Sequence, residues 1–408
     1  MLKPLTIILV FFSIAQPGVI VPALEEYRIF FLLSLFALIL YIVKPKEGRL
    51  RVHLPQNKYI YGMVIAYTFS EAQYFWLSGT IDVFSFWLKK ILLFFLVIHI
   101  IETERDLKRI LWTILLAACV LIVMGWEMYW YEPNLLANAG RLQSIGNYNL
   151  SNSFALLLAV VFPLAFCLME VEDSLLKKLF LMVFMLVVVI SCVYTKSRGG
   201  ALGTMAGVVL SILFSRKYFT SKPIKITLSA TVVMVFIVFG VKLILSRADA
   251  TTFFGTEEQS AGDRLMAWTA AIRMFIDHPI FGVGWAKFPE YAFAYGMDKR
   301  LLAHNTFISV LAETGIVGFV CFIGMVFFSF KQVILIRRAW SRIREKQTSY
   351  IIANGILISF ICFFINTSFS VKDHDPMFWT LLTLIGILSV MRARELTGPE
   401  SLPKGKAE

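Results

Sequence analysis

The sequence predicts an all-α polytopic membrane protein of about twelve transmembrane helices, both termini cytoplasmic, with one long periplasmic loop carrying a surface-lying amphipathic helix. Three observations carry this expectation. Of the 408 residues, 58% are hydrophobic and only 16% charged, a balance far from that of soluble domains. The apolar residues gather into runs near the roughly 20 residues a bilayer crossing needs. Most of the 39 Lys and Arg residues fall in short segments that alternate in side, as the positive-inside rule requires. The net charge of +12 therefore reports topology, and a nucleic-acid partner is excluded as its meaning.

In chain order the runs are 5–22, 28–43, 58–78, 83–101, 110–130, 152–170, 179–197, 200–215, 225–245, 303–330, 350–370 and 377–391. Lys3 ahead of the first run fits a signal peptide or a first span, and the many runs that follow favour a retained helix. Trp126, Tyr129, Trp130 and Tyr131 close the fifth run as an interfacial aromatic belt. Cys119, Cys167, Cys192, Cys321 and Cys362 all lie in apolar runs without CxxC spacing, which points to core packing rather than disulfides or zinc. No fixed-period repeat is present, and Pro399, Pro403 and Gly405 mark a short disordered tail.

Polar chemistry collects around one long segment, 246–302, and at the turns facing the same side. Arg198 sits in Ser197-Arg198-Gly199-Gly200, where glycines permit close backbone approach and a guanidinium suits a phosphate or diphosphate; an Arg reaching up to lipid phosphate fits equally well. Arg264 follows Asp263, read as the cap of a helix to about Ile276 whose apolar face is Leu265, Trp268, Ile272, Phe275 and Ile276. Arg273, nine residues on, falls half a rotation away. His304 and Asn305 open the tenth run, where the positive end of a helix favours the neutral imidazole a general base requires, although a capping or interfacial His has the same pattern. Glu313 lies on the opposite face and reads as a structural hydrogen-bonding group. Lys89 and Lys90 lie inside the fourth run, where each cation costs about 2.5–3.5 kcal/mol unless paired or reaching the interface; an anionic lipid-linked substrate is one such partner. Asp373-His374-Asp375 reads as a solvated turn lining the site and only weakly as a metal site.

These residues resemble a known family. Ser197-Arg198-Gly199-Gly200, Arg264 with Trp268, Asp277-His278-Pro279, Gly282-Val283-Gly284, Ala303-His304-Asn305 and Glu313-Thr314-Gly315 with Gly318 stand in the order of the motifs of the O-antigen ligase and polymerase superfamily. The specific likeness spans about 190–320, with Arg141-Leu142-Gln143 a looser echo. The resemblance implies a bacterial inner-membrane glycosyltransferase with its active site facing the periplasm. It takes a glycan from undecaprenyl diphosphate to an acceptor hydroxyl without nucleotide, metal or other cofactor. By the same resemblance Arg198 and Arg264 hold the diphosphate and His304 activates the acceptor; Lys89, Lys90, Arg141, Gly199, Asn305, Glu313 and His374 are accessory positions on the residues' own chemistry and placement.

The expected division is an N-terminal bundle 1–189, a catalytic region 190–330, a C-terminal pair 331–391 and a cytoplasmic tail 392–408. Chain size and a single moderate loop favour a ligase acting on a lipid A–core acceptor over a polymerase or a protein O-oligosaccharyltransferase. A small-anion transporter is the competing class, but it calls for corresponding polar sites in two repeated halves. Here the polar residues gather on one side and in one half.

Overall fold

The computed structural model describes residues 2–43, 54–131, 140–219, 221–254, 261–298 and 300–397, the side chains of 239–254 and 261 excepted. All regular elements among them are helices, and the twelve apolar runs fall on them, the first divided among three. Seven helices are long and apolar enough to cross a membrane, while Leu2–Ala15, Ile29–Val43 and Arg198–Phe214 are apolar but shorter. The architecture is that of a multi-pass membrane protein. The bases at 44–51 and the tail after 397 lie outside the described residues.

The first run differs from expectation. Helix Leu2–Ala15 stops at Gln16, whose φ is 49°, and the chain restarts as short helices Pro17–Ile20 and Pro22–Glu26. Each proline lacks the N–H an uninterrupted helix would use but suits a first helical turn, so the apolar pattern 5–22 is cut in three. Helix Lys222–Phe254 also outruns its apolar segment and takes the first residues of the expected loop.

Helix Ser151–Val171 is the hub of the bundle, buried along nearly its whole length. Helix Arg198–Phe214 packs against it and against helix Gln347–Thr367 through a face of small residues. A Cβ on Gly200 would collide with Ala155, and one on Gly203 with Asn366. This close packing of backbones fixes where Arg198, the first residue of its helix, stands.

A second contact organises the other half. Helix Thr306–Trp340 is broken at Gly315, with φ 62° and ψ −162°. In a continuous helix the amides of Ile316 and Val317 would donate to the carbonyls of Ala312 and Glu313. Instead they donate to Pro279 (2.8 Å) and Ile280 (3.4 Å), while Val283 and Gly284 donate to Ala312 (2.9 Å) and Glu313 (3.0 Å). The segment 279–284 thereby satisfies all four groups that the break releases. Gly282 (φ 68°) leaves no room for a side chain against Glu313 and Thr314, nor does Gly315 against Ile280. Gln73 and Tyr74 donate at 2.9 Å to the carbonyls of Gly282 and Val283, locking the crossing from helix Asn57–Ala72.

Gly315→Ala and Gly282→Ala each combine a positive φ with a backbone collision, so each is expected to destabilise the detergent-solubilised protein by at least about 2 kcal/mol. Gly296→Asn places an αL-tolerant residue where nothing but Arg273 approaches, and should leave thermal unfolding near wild type.

Candidate functional site

His304 stands just before helix Thr306–Trp340 with φ 48°, while Asn305 is the N-cap and accepts from the amides of Phe307 (2.9 Å) and Ile308 (3.2 Å). Thr306 donates to the Ser370 carbonyl at 2.7 Å and accepts from the Lys372 amide at 2.9 Å. These bonds pin the stretch 369–372 beside the imidazole. The ring meets the Phe369 backbone by a hydrogen bond, and its Nδ1 has no hydrogen-bond partner. Burial, with the cations of Arg264 and then Lys372 nearby, pushes the His304 pKa down to about 4, against the opposing effect of the Phe369 bond.

Arg264 reaches this point on helix Ala261–Asp277. Among the described residues the helix runs from Ala261, so Asp263 lies inside it rather than at a cap. The face packed against the protein is a separate one, not predicted from the apolar periodicity. Ala267, Ala270, Ala271 and Met274 are buried against Val283, Phe288, Ala303 and Ala312, whereas Leu265 and Ile276 remain 64% and 66% exposed. Alanines admit the helix close to its neighbour, and the bulkier apolar residues form a separate exposed edge. Trp268 Nε1 donates to the Ala303 carbonyl at 2.9 Å, which ties the Arg264 helix to the residue before His304.

Arg198 is exposed at the start of its helix, where the Ser197 hydroxyl accepts from Gly200 N at 3.2 Å. Beside it, a Cβ on Gly199 would lie 3.1 Å from the Phe369 ring. Phe369 is therefore the common neighbour of the Arg198 turn and of His304. Arg141 is buried; its Nε donates to the Thr195 carbonyl (2.9 Å) and its Nη2 to Asn152 (3.1 Å), so it positions the Arg198 turn. Glu313 is buried and accepts from Phe288 N at 3.3 Å, the structural role its sequence position indicates.

The turn Lys372–Asp375 is not solvated. Asp373 and Asp375 are each 2% exposed. Tyr67 donates to Asp373 at 2.7 Å, His374 Nδ1 lies 3.1 Å from its other oxygen, and Asp375 accepts from Met377 N at 2.8 Å. Burial alone would raise the Asp373 pKa, but the bonds from His374 and Tyr67 bring it below the ordinary value. Lys372 Nζ donates to Ser153 at 2.6 Å, and Lys90 Nζ to the His374 carbonyl at 2.8 Å. Phe369, Lys372 and Tyr67 were not singled out in the sequence; for Lys372 the adjoining acid-containing turn between two apolar runs was the one visible signal.

Residues 180–323 match the family model described as O-antigen ligase. This segment is similar to an O-antigen ligase domain. Members of that family are glycosyltransferase-like enzymes. No curated protein matches the chain. The domain holds Arg198, Arg264, His304, the segment 279–284 and Gly315, whereas Lys89, Lys90 and the turn Lys372–Asp375 lie outside the match.

The matched segment is braced from outside by a buried ion pair. Lys287 Nζ lies 2.7 Å from Glu71 Oε1, with side chains 18% and 2% exposed, and the ammonium sits 4.3 Å from the Tyr74 ring centroid. Lys287→Ala would strand the Glu71 carboxylate and is expected to cost about 3–5 kcal/mol. Adding Glu71→Gln should restore most of that loss, read as the melting temperature of the double variant against each single one.

Proposed function

We propose that the protein is an O-antigen ligase that transfers a glycan from undecaprenyl diphosphate to a lipid A–core hydroxyl at the periplasmic face of the bacterial inner membrane, without nucleotide or metal. The observation that carries the reading is the unpartnered Nδ1 of His304, close enough to Arg264 to be depressed by its charge and joined to the Arg198 turn through Phe369.

The acceptor oxygen attacks the anomeric carbon as its proton passes to His304 Nδ1. The bond from that carbon to the diphosphate oxygen breaks with its electron pair, and the configuration inverts. Arg198 and Arg264 meet the charge growing on the leaving diphosphate, aided at Arg264 by the positive end of its helix. Asn305 and Phe369 hold the imidazole in place. A polymerase or a protein O-oligosaccharyltransferase would use the same steps with a different acceptor.

A base with a pKa near 4 is weak at neutral pH, and the donor itself corrects this. A diphosphate bound at Arg264 offsets the cation that depresses His304, so the imidazole becomes more basic in the complex than in the free enzyme.

With the purified protein in lipid vesicles and a lipid-diphosphate glycan as donor, His304→Ala should lower transfer on the order of 10²–10⁴-fold. Normal transfer by this variant would remove the base assignment. Since only neutral His304 accepts the proton, activity is lost as pH falls through its pKa. The acid limb of kcat/KM, which reports the free enzyme, is expected near pH 4, and that of kcat at higher pH. Arg264→Gln removes the depressing cation and should move the kcat/KM limb upward.

A further inference from the structure

We infer that the cavity among helices Leu2–Ala15, Leu77–Ile100 and Pro376–Thr397 receives the hydrocarbon chain of a phosphate-bearing lipid acceptor, an inference that rests on the glycosyl-transfer reading above. The cavity holds about 360 Å³, within the roughly 300–1,000 Å³ of small-molecule sites. Leu93, Phe94, Trp379 and Leu384 supply apolar wall, and Lys89 and Lys90 line it together with a single carboxylate, Glu25. Lys90 is held by the His374 carbonyl and lies 4.7 Å from the Phe86 ring centroid, which leaves N–H donors over, while Lys89 is exposed beside it. Apolar wall beside two ammonium groups, on a helix of membrane-crossing length, is complementary to an anionic amphiphile.

The connection to the rest of the site selects the acceptor rather than the donor. Arg198, Arg264 and His304 line none of the cavity. The stretch 369–376 joins the two places: at one end Phe369 touches Gly199 and His304, and at the other the His374 carbonyl takes Lys90 while Pro376 lines the cavity. An inverting displacement requires the acceptor to arrive from the side opposite the leaving diphosphate. A second lipid seated at the 374–376 end leaves the Arg198 and Arg264 positions to the donor.

The test uses the full chain in detergent micelles with radiolabelled lipid A–core as probe, and undecaprenyl diphosphate and phosphatidylglycerol as competitors. Lys89→Gln, an exposed change, is expected to raise the acceptor Kd and KM about threefold, and Thr383→Trp, which fills the cavity, at least about tenfold, with the donor KM unchanged in both. Thr383→Trp is first checked for wild-type elution, and Lys89→Gln stands alone if it fails. Displacement of the probe by undecaprenyl diphosphate, or equally well by phosphatidylglycerol, would overturn the acceptor assignment, as would transfer with unchanged acceptor KM in both variants. Probe binding lost in both variants, in a protein that transfers no glycan, would instead remove the proposed reaction and leave the lipid site standing.

Discussion

The break in helix Thr306–Trp340 at Gly315 is the constraint on which the site depends. A helix interrupted inside a membrane protein exposes backbone groups that lipid cannot satisfy. Here the released amides and carbonyls are taken by the segment 279–284, which is thereby drawn against the helix on which Asn305 is the cap. The same segment follows helix Ala261–Asp277, so one set of backbone bonds decides where Arg264 stands relative to His304. The alanine stripe 267, 270 and 271 completes the placement, because a larger face could not come so close to Ala303 and Ala312.

Within that frame the electrostatics are divided along one short stretch of chain. Asp373 and Asp375 are engaged by Tyr67, His374, the Met377 amide and, at 3.7 Å, Lys372. The charges that dominate His304 are consequently Arg264 and Lys372, both cations, and the imidazole is held neutral. A carboxylate turned toward the ring would raise its pKa permanently and fill the proton-accepting position. On the proposed reading, keeping the acids at the far end lets an anion bound at Arg264 raise the basicity of His304.

Much of this was legible in the sequence, and the parts that were not share a cause. Apolar runs located the helices because the period and length of a membrane helix are written locally. Arg198, Arg264 and His304 stood out because charge is scarce in such a chain. The pairing of Gly282-Val283-Gly284 with Glu313-Thr314-Gly315 was invisible, since each motif shows only its own conformational needs and the bonds are between backbone atoms. The alanine face of helix 261–277 escaped the sequence reading for a related reason: hydrophobicity ranks Leu265 and Ile276 above alanine, whereas close packing between helices selects small residues. The acid-containing turn was read as solvated because its partners, Tyr67 and Ser153, lie hundreds of residues away.

The domain matched by the family model and the surrounding bundle divide the work accordingly. Arg198, Arg264 and His304 all come from within 180–323, yet none is placed by that segment alone. Arg141 and Ala155 set the Arg198 turn, Phe369 and Lys372 set the imidazole, and Gln73, Tyr74 and Glu71 set the turn after Gly282. Cations brought together on one site repel each other, and separate elements carrying them would drift apart unless each were fixed by packing and hydrogen bonds made elsewhere. The bundle supplies those bonds from helices on every side. If the proposed donor binds here, a site so held presents fixed positive charge to its diphosphate without first being reorganised by it, which is the condition under which such charge lowers a barrier most.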